Sequence, residues 1–238
     1  MKKVFPIQFA NYLNFLSKFG VGGAHPGGIN LTKEIFKNEK VITATRILDV
    51  GCGTGQTAAY LANKYGAKVI GIDNNPTMVA KAKSRIQKER LPVKILECSI
   101  EKIPFPDQKF DLIISESVLS FVDQPKAMKE IYRLLKNGGR FIAIEFTISQ
   151  QLDEKSEQEI KQFYGFDSCL TKKDWVTCLK KAGFKNIRIQ KNKSIFSEPE
   201  YHYSKDIEPE LYEMIDKHYD ILLKYKDILD YKIYSCTK

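Results

Sequence analysis

Short apolar runs rich in β-branched residues alternate with helical patterns through the middle of the chain. Runs of this kind predict strands at 46–50, 68–72, 93–97, 110–115, 140–146, 183–190 and 231–236. Between them, apolar side chains recur at helical spacing. Strands and helices that take turns form a mostly parallel sheet with helices on both faces. The pattern therefore predicts an α/β domain.

Signals for helix ends support this alternation. Asn75 is a good N-cap, and Pro76 fits the first turn of a helix that should end before Pro92. A second helix is predicted from Gln124 to Lys136, with the glycines that follow as a left-handed C-terminal cap. Helices are also predicted from about 56, at 172–182 and at 205–230, and an amphipathic helix contains Phe9, Tyr12, Leu13, Leu16 and Phe19.

The composition is that of a folded globular protein. The chain has 238 residues, of which 43% are hydrophobic and 28% are charged. No apolar run approaches the roughly 18 to 20 residues that span a bilayer. The amino-terminal segment starts like a signal peptide but is not followed by a small-residue cleavage site. We therefore expect a mature cytoplasmic protein without a membrane span.

Charge and metal-binding residues narrow the possible partners. The net charge of +9 is concentrated in the segment 172–193, which lacks the stacking aromatic residues of an RNA-binding surface. We interpret this segment as a solvated helix face, and nucleic acid is not expected as a partner. The five cysteines are scattered and the three histidines are far apart. This spacing predicts neither a disulfide framework nor a structural metal.

A glycine-rich turn carries the strongest chemical signal. Gly51, Gly53 and Gly55 fall where the first predicted strand turns into the helix that begins near Gln56. In α/β sheets this is where a nucleotide lies on the backbone, next to unpaired helix N–H groups. Asp73 ends the second predicted strand, about 20 residues further on, where a carboxylate can accept both ribose hydroxyls.

Two other nucleotide-binding classes compete for this turn. The stretch 53–58 also satisfies the dinucleotide pattern G-x-G-x-x-G/A. Asp49 argues against a dinucleotide, because a buried carboxylate would repel a pyrophosphate but suits a sulfonium and an ammonium. No catalytic signature of a pyridine-nucleotide enzyme follows, and no G-x-x-x-x-G-K-[ST] motif of a P-loop occurs.

The blocks ILDVGCGTG, GIDNNPTMVAKAK and IEKIPFPDQKFDLIISESVLSFVDQPKAMKEIYRLLKNGGRFIAIE resemble the ubiquinone/menaquinone-biosynthesis-like group of class I S-adenosylmethionine-dependent methyltransferases. The resemblance covers roughly residues 46–146. It implies a Rossmann-like, seven-stranded, mostly parallel sheet whose antiparallel last strand is inserted as a hairpin beside the sixth. It also implies one methyltransferase domain, with a helical lid (1–40), a cofactor-binding core (41–150) and a C-terminal part with a helical insertion and the last strands (151–238).

The same resemblance assigns roles in binding S-adenosylmethionine. Asp49 and the glycine loop would hold the methionine part, Asp73 the ribose and Asn74 the adenine face. Ser99 and Ile100 would contact the adenine edge, although Ser99 stands where the group usually has Asp. The complete set of candidate cofactor contacts is Asp49, Gly51, Cys52, Gly53, Gly55, Asp73, Asn74, Ser99, Ile100 and Ser115.

Methyl transfer from a sulfonium is an in-line displacement that positioning and desolvation can drive without protonating the leaving group. Where the acceptor is a hydroxyl or an acidic carbon, a base would help, and His25 and Glu116 are the candidates. Tyr164, Phe166 and Cys169 are candidates for lining an acceptor pocket. A small-molecule acceptor is the leading hypothesis. An RNA or protein substrate and a non-catalytic cofactor-binding protein stay open, as do the acceptor's identity and the oligomeric state.

Overall fold

The computed structural model describes residues 11–190 and 198–238, which form a seven-stranded sheet, a two-stranded ribbon and flanking helices. The strands are β1 (Val21–Gly22), β2 (Arg46–Val50), β3 (Lys68–Asp73), β4 (Lys94–Glu97), β5 (Phe110–Glu116), β6 (Leu135–Ile148), β7 (Lys185–Gln190), β8 (Glu200–Tyr201) and β9 (Leu229–Thr237). The large sheet has the order β4-β3-β2-β5-β6-β9-β7, and β1 pairs with β8 in the ribbon.

The topology of the large sheet confirms the predicted fold class. Strands β2 to β6 pair in parallel, which brings their carboxyl ends to one edge. Strand β9 lies between β6 and β7 and is antiparallel to both. This is the Rossmann-like class I arrangement, with the last strand inserted beside the sixth strand of the sheet.

Helices cover both faces of the sheet and one end of it. They are α1 (Asn11–Phe19), α2 (Gly28–Phe36), α3 (Gln56–Tyr65), α4 (Pro76–Lys88), α5 (Gln124–Leu134), α6 (Glu154–Tyr164), α7 (Lys172–Lys181) and α8 (Glu213–Lys224). As predicted, α3 begins at Gln56, and the Asn75 side chain caps α4 by accepting hydrogen bonds from the N–H groups of Thr77 and Met78. Helices α1, α6 and α8 share an aromatic-rich cluster of buried side chains.

The predicted glycine cap after α5 is wrong. The helix ends at Leu134 rather than Lys136, and the next residue already has extended backbone angles. Leu135 is fully buried and pairs with Phe110 of β5, so the first residue after the helix already belongs to the sheet. Gly138 does have a positive φ of 75°, but it lies within the bounds of β6.

Other differences from the predicted elements lie outside the central strands. The helix predicted at 205–230 is restricted to α8, and a short 3-10 turn, Pro209–Leu211, precedes it. The ribbon of β1 and β8, and helices α2 and α6, are not among the predicted elements. The positions Phe9, Lys191 and Lys193 lie outside the described residues.

A buried carboxyl group in β6 supports the chain that follows β5. Glu145 is fully buried, and its Oε1 accepts hydrogen bonds from the Ser115 hydroxyl and from the N–H groups of Val118 and Leu119 at 3.1 to 3.2 Å. In the described part of the chain its Oε2 has no partner. Burial raises the pKa of Glu145 to about 7, although these hydrogen bonds act in the opposite direction.

This raised pKa predicts a pH-dependent effect of Glu145→Gln. As the pH rises from about 4.3 to 7, the unfolded chain releases a proton that the folded protein keeps, so native stability falls by about 3 kcal/mol. The glutamine variant escapes this loss. Urea unfolding measures the free energy of unfolding of both proteins. We expect the value for the variant minus that for the wild type to be about 3 kcal/mol more positive at pH 8 than at pH 5. An equal difference at both pH values would contradict this account.

Candidate active site

A cavity of about 220 Å³ opens at the carboxyl ends of β2, β3 and β5. Its floor is formed by the turn after β2, the end of β3 and the segment after β5. Its cover comes from α1 and β1, through Tyr12, Leu13, Leu16 and Val21. Helix α1 therefore covers the site, and we refer to α1 as the lid; the predicted lid over residues 1–40 stays a prediction.

The turn after β2 requires glycine for two different reasons. Gly51 has a φ of 66°, and a Cβ atom there would lie 2.3 Å from the Val118 side chain. Gly53 has a φ of 51°, but a Cβ there would meet nothing within 4 Å. Gly51 is thus required by packing as well as by conformation, whereas Gly53 borders open space in the cavity. Backbone with a positive φ and open space beside it can lie directly against a ligand.

Asp49 places a carboxyl group with one unpaired oxygen at the cavity wall. It is 2% exposed, and its Oδ2 is buried without a hydrogen-bond partner among the described residues. Burial, followed by the negative charges of Glu116 and Asp73, raises the pKa of Asp49 well above its ordinary value. Such a group is stabilised by a cationic ligand and would repel an anionic one. The residues present therefore fit a ligand with a sulfonium and an ammonium group.

Asp73 connects the glycine turn to the start of α4. Its Oδ2 accepts a hydrogen bond from the Gly53 N–H at 2.9 Å, and its Oδ1 accepts one from the Asn75 N–H at 2.8 Å. Burial raises its pKa even though these backbone hydrogen bonds favour the charged form. Because each carboxylate oxygen has a second lone pair, Asp73 can hold the turn and still accept from a ligand.

Some of the other predicted cofactor contacts line the cavity and some do not. Cys52, Asn74 and Ile100 line the cavity. Ser99 is exposed outside the cavity lining, and its hydroxyl accepts a hydrogen bond from the Glu101 N–H. Ser115 is fully buried and donates to Glu145, so its hydroxyl is not directed at the cavity. Gly55 lies outside the lining too, as the left-handed N-cap of α3.

His25 and Glu116, predicted as two separate candidates, lie side by side in the cavity wall. His25 Nε2 is 3.4 Å from Glu116 Oε1, and both side chains are nearly buried. His25 Nδ1 lies 3.2 Å from the Pro26 carbonyl oxygen. Both ring nitrogens thus face oxygen acceptors, an arrangement that can hold an imidazolium after the ring has taken up a proton.

Two threonine hydroxyls that sequence reasoning missed complete this group. Thr32 donates to Glu116 Oε1 and Thr57 donates to Glu116 Oε2, each at 2.5 Å. Thr32 is supplied by α2 and Thr57 by the first turn of α3. Thr57 follows the glycine turn directly, which was the available sequence signal. Nothing in the sequence connects Thr32 with a residue that lies so far away along the chain.

The predicted acceptor residues 164, 166 and 169 do not reach the cavity. Tyr164 stacks on Phe166 with ring centroids 4.9 Å apart, and both are buried in the cluster shared by α1, α6 and α8. Cys169 packs against the same cluster and is absent from the cavity lining. The lid residue Tyr12 contacts Tyr164 edge-on. These residues therefore support the lid from behind.

The described residues contain neither a helix that could span a membrane nor a group that could bind a metal ion. Among residues 11–190 and 198–238, no helix combines the length and the apolar character that a bilayer span requires. Within those ranges, no three His, Cys, Asp or Glu side chains are grouped in a way that could bind a metal ion.

Comparison with known proteins gives the class of this fold and site. The methyltransferase domain family matches residues 48–143. The uncharacterized methyltransferase YodH of Bacillus subtilis is 32% identical over 233 residues, which cover 96% of this chain and all of that protein. The demethylmenaquinone methyltransferase of Thermus thermophilus is 41% identical over 103 residues, which cover 42% of this chain and 47% of that protein.

A solved structure supports the fold. Phosphoethanolamine N-methyltransferase 2 of Haemonchus contortus, in complex with phosphomonomethylethanolamine and S-adenosylhomocysteine, superimposes with a TM-score of 0.79. The identity is 21%, and the match covers 98% of this chain and 61% of the nematode chain. The chain therefore spans less than two thirds of that structure, and the likeness concerns the fold alone.

The chain belongs to the methyltransferase family. This family uses S-adenosylmethionine as its methyl donor, so the predicted enzyme class and cofactor are confirmed. The narrower resemblance to the ubiquinone/menaquinone group stays a prediction.

Proposed function

We propose that this methyltransferase transfers a methyl group to a small-molecule acceptor by in-line displacement inside the covered cavity. The observation that carries the proposal is the division of the cavity into two regions. Unpaired or partly paired carboxyl groups lie on the sheet side, and apolar side chains of the lid lie opposite.

On the sheet side, this chain's residues would bind and orient the methyl donor. Asp49 offers its free carboxyl oxygen, the turn at Gly51 to Gly53 offers backbone, and Asp73 offers its remaining lone pairs to ribose hydroxyls. Bound S-adenosylmethionine supplies the electrophilic methyl group. Asp49 would complement the positive charge from a buried position, where such an interaction is stronger than in bulk solvent.

On the lid side, the chain would desolvate and hold the acceptor. Tyr12, Leu16, Phe121 and Phe146 contribute apolar surface to the lining. With His25 Nε2 beside Glu116, Nδ1 is the nitrogen that would take a proton from an acceptor hydroxyl, acidic carbon or ammonium group. Glu116, fixed by its two threonine donors, orients the ring and stabilises the imidazolium.

The charge of the cavity bears on the class of acceptor. Three carboxyl groups, from Asp49, Asp73 and Glu116, line it, whereas none of its lining residues in the described chain is Lys or Arg. A phosphate would therefore meet repulsion rather than a guanidinium or ammonium partner. This supports a neutral or cationic acceptor, unlike the phosphorylated compound bound by the nematode enzyme.

No specific observation favours the RNA or protein alternative. The basic residues of α7 and β7 are absent from the cavity lining. A non-catalytic role would leave the buried His25–Glu116 pair without a purpose, and this pair favours catalysis.

Calorimetry and a transfer assay test the proposal together. We expect S-adenosylhomocysteine to bind with a 1:1 stoichiometry and NADH not to bind. Labelled S-adenosylmethionine should methylate members of a panel of neutral and amine-bearing small molecules but not phosphoethanolamine. Binding of NADH without binding of the nucleoside, or transfer only to RNA, protein or a phosphorylated acceptor, would overturn it.

A further inference from the structure

The ribbon of β1 and β8 lies directly on the glycine turn. Gly22 of β1 pairs with Glu200 of β8. A Cβ atom on Gly22 would lie 3.1 Å from the Thr54 hydroxyl, and one on Gly23 would lie 2.8 Å from Gln56 Oε1. Thr54 belongs to the turn and Gln56 is the first residue of α3. Both line the cavity. The ribbon and the turn are therefore in van der Waals contact.

Glu200 joins three separate parts of the chain at this contact. Its Oε2 accepts hydrogen bonds from Gln56 Nε2 at 2.7 Å and from Arg85 Nη2 at 2.6 Å. Its Oε1 lies 2.9 Å from His202 Nε2. One carboxylate thus connects the ribbon to α3 and to α4.

Arg85 extends the connection to the turn itself. Its Nε donates to the Thr54 carbonyl oxygen at 2.9 Å, and its side chain is only 10% exposed. Burial disfavours the charged form of Glu200, but the hydrogen bond and charge of Arg85 outweigh burial and hold the pKa of Glu200 below its ordinary value. Charge-assisted hydrogen bonds of this kind are stronger than neutral ones and fix geometry.

The cover is attached to α4 at a second point. Lys81 Nζ donates to the carbonyl oxygens of Lys18, at the end of α1, and of His202, next to the ribbon. Lys81 and Arg85 lie one helical turn apart on α4, so one helix face holds both segments of the cover. Because β1 follows α1 almost directly, the position of the ribbon constrains the apolar lid residues as well.

We propose that Glu200 is a positioning residue for the cofactor turn. It fixes Gln56 directly and the Thr54 carbonyl through Arg85, and it ties both to the ribbon over the cavity. The role rests on the proposed function of the turn as the site of the methyl donor. Loss of Glu200 frees the turn and the cover together, so bound S-adenosylhomocysteine leaves faster.

The test is the dissociation rate of S-adenosylhomocysteine from Glu200→Ala and Glu200→Gln, measured by competition in stopped flow. Loss of the charge-assisted bonds predicts an increase of about tenfold or more for alanine. Glutamine keeps one acceptor oxygen and should show a smaller increase. Glu89→Gln is the matched control, since Glu89 contacts the same Arg85 at 3.4 Å but lies outside the ribbon. It should change the rate by less than about twofold.

Two further readouts separate positioning from general destabilisation. The KM for S-adenosylmethionine should rise in Glu200→Ala by a larger factor than kcat at saturation falls. The double variant Arg85→Met/Glu200→Ala should dissociate no faster than the worse single variant, because the two residues act as one unit. If Glu200→Ala does not fold, the dissociation rate of Glu200→Gln is compared with that of the wild type. Thermal unfolding then shows whether Glu200→Gln is folded.

The outcomes distinguish this inference from the proposed function. Wild-type protein that does not bind S-adenosylhomocysteine would overturn the proposed function. Wild-type binding with an unchanged dissociation rate in folded Glu200 variants would overturn the positioning role alone. An equal effect of Glu89→Gln would overturn it too, since the ribbon would then have no special part.

Discussion

Asp73→Ala is expected to raise the Kd of S-adenosylhomocysteine by about 100-fold or more. The substitution removes the acceptor proposed for the ribose hydroxyls. It also removes the acceptors of the Gly53 and Asn75 N–H groups, which hold the glycine turn against α4. Hydrogen bonds to a charged group contribute roughly 1.5 to 3 kcal/mol each, so two of them account for a loss of this size. Isothermal titration calorimetry measures it directly.

Glu97 provides a matched control for Asp73. It occupies the paired register position at the end of β4, next to Asp73 at the end of β3, but it is exposed and absent from the cavity lining. Glu97→Ala should leave the Kd within about twofold, in line with a surface substitution. Asp73→Asn should also bind poorly, because its amide N–H would replace one of the two acceptors. Tight binding by Asp73→Ala would refute the assigned role.

His25→Ala is expected to lower kcat by about 100-fold while the Kd of S-adenosylhomocysteine changes less than threefold, since general-base groups typically contribute 10²- to 10⁴-fold. Glu116→Gln should have a smaller effect of the same kind, because it removes the charge that stabilises the imidazolium but keeps a hydrogen-bonding group beside the ring. Single-turnover rates with an acceptor that the wild-type enzyme methylates separate this chemical step from cofactor binding.

Thr57 offers a graded check on the same group. Thr57→Ser keeps a hydroxyl that can donate to Glu116, whereas Thr57→Val removes the donor and keeps the side-chain shape. We expect the serine variant to retain most activity and the valine variant to lose activity in the same step as Glu116→Gln. Full turnover in His25→Ala and Glu116→Gln would show that the acceptor needs no base.

The central fold and the cofactor turn are predictable because their signals are local. Gly51 and Gly53 lie one residue apart in a strand-to-helix turn, and Asp73 ends the next strand, so short stretches of sequence specify their positions. The register of parallel strands then brings these segments to one edge of the sheet. Family resemblance across residues 46–146 strengthens the same conclusion.

The remaining parts of the site depend on contacts between distant segments. Glu116 obtains one donor from α2 and one from α3, and Glu200 reaches the turn only because β8 pairs with β1. Periodicity cannot show such pairings, since a two-residue strand has almost no pattern.

Ser115 is a predicted cofactor contact whose side chain faces elsewhere. Its position near the end of β5 suggests a cofactor contact, but adjacent strand residues face opposite sides, and its hydroxyl meets Glu145.

The position of β9 affects the order in which this protein can fold during synthesis. Strand β7 is made before β9 but joins the sheet only through β9. A nascent chain that has not yet released residues 229–237 from the ribosome therefore has an open edge on β6 and no partner for β7. Exposed edges of this kind pair readily with other chains. Production of soluble protein should accordingly depend on how quickly the last of the seven strands becomes available to close the sheet.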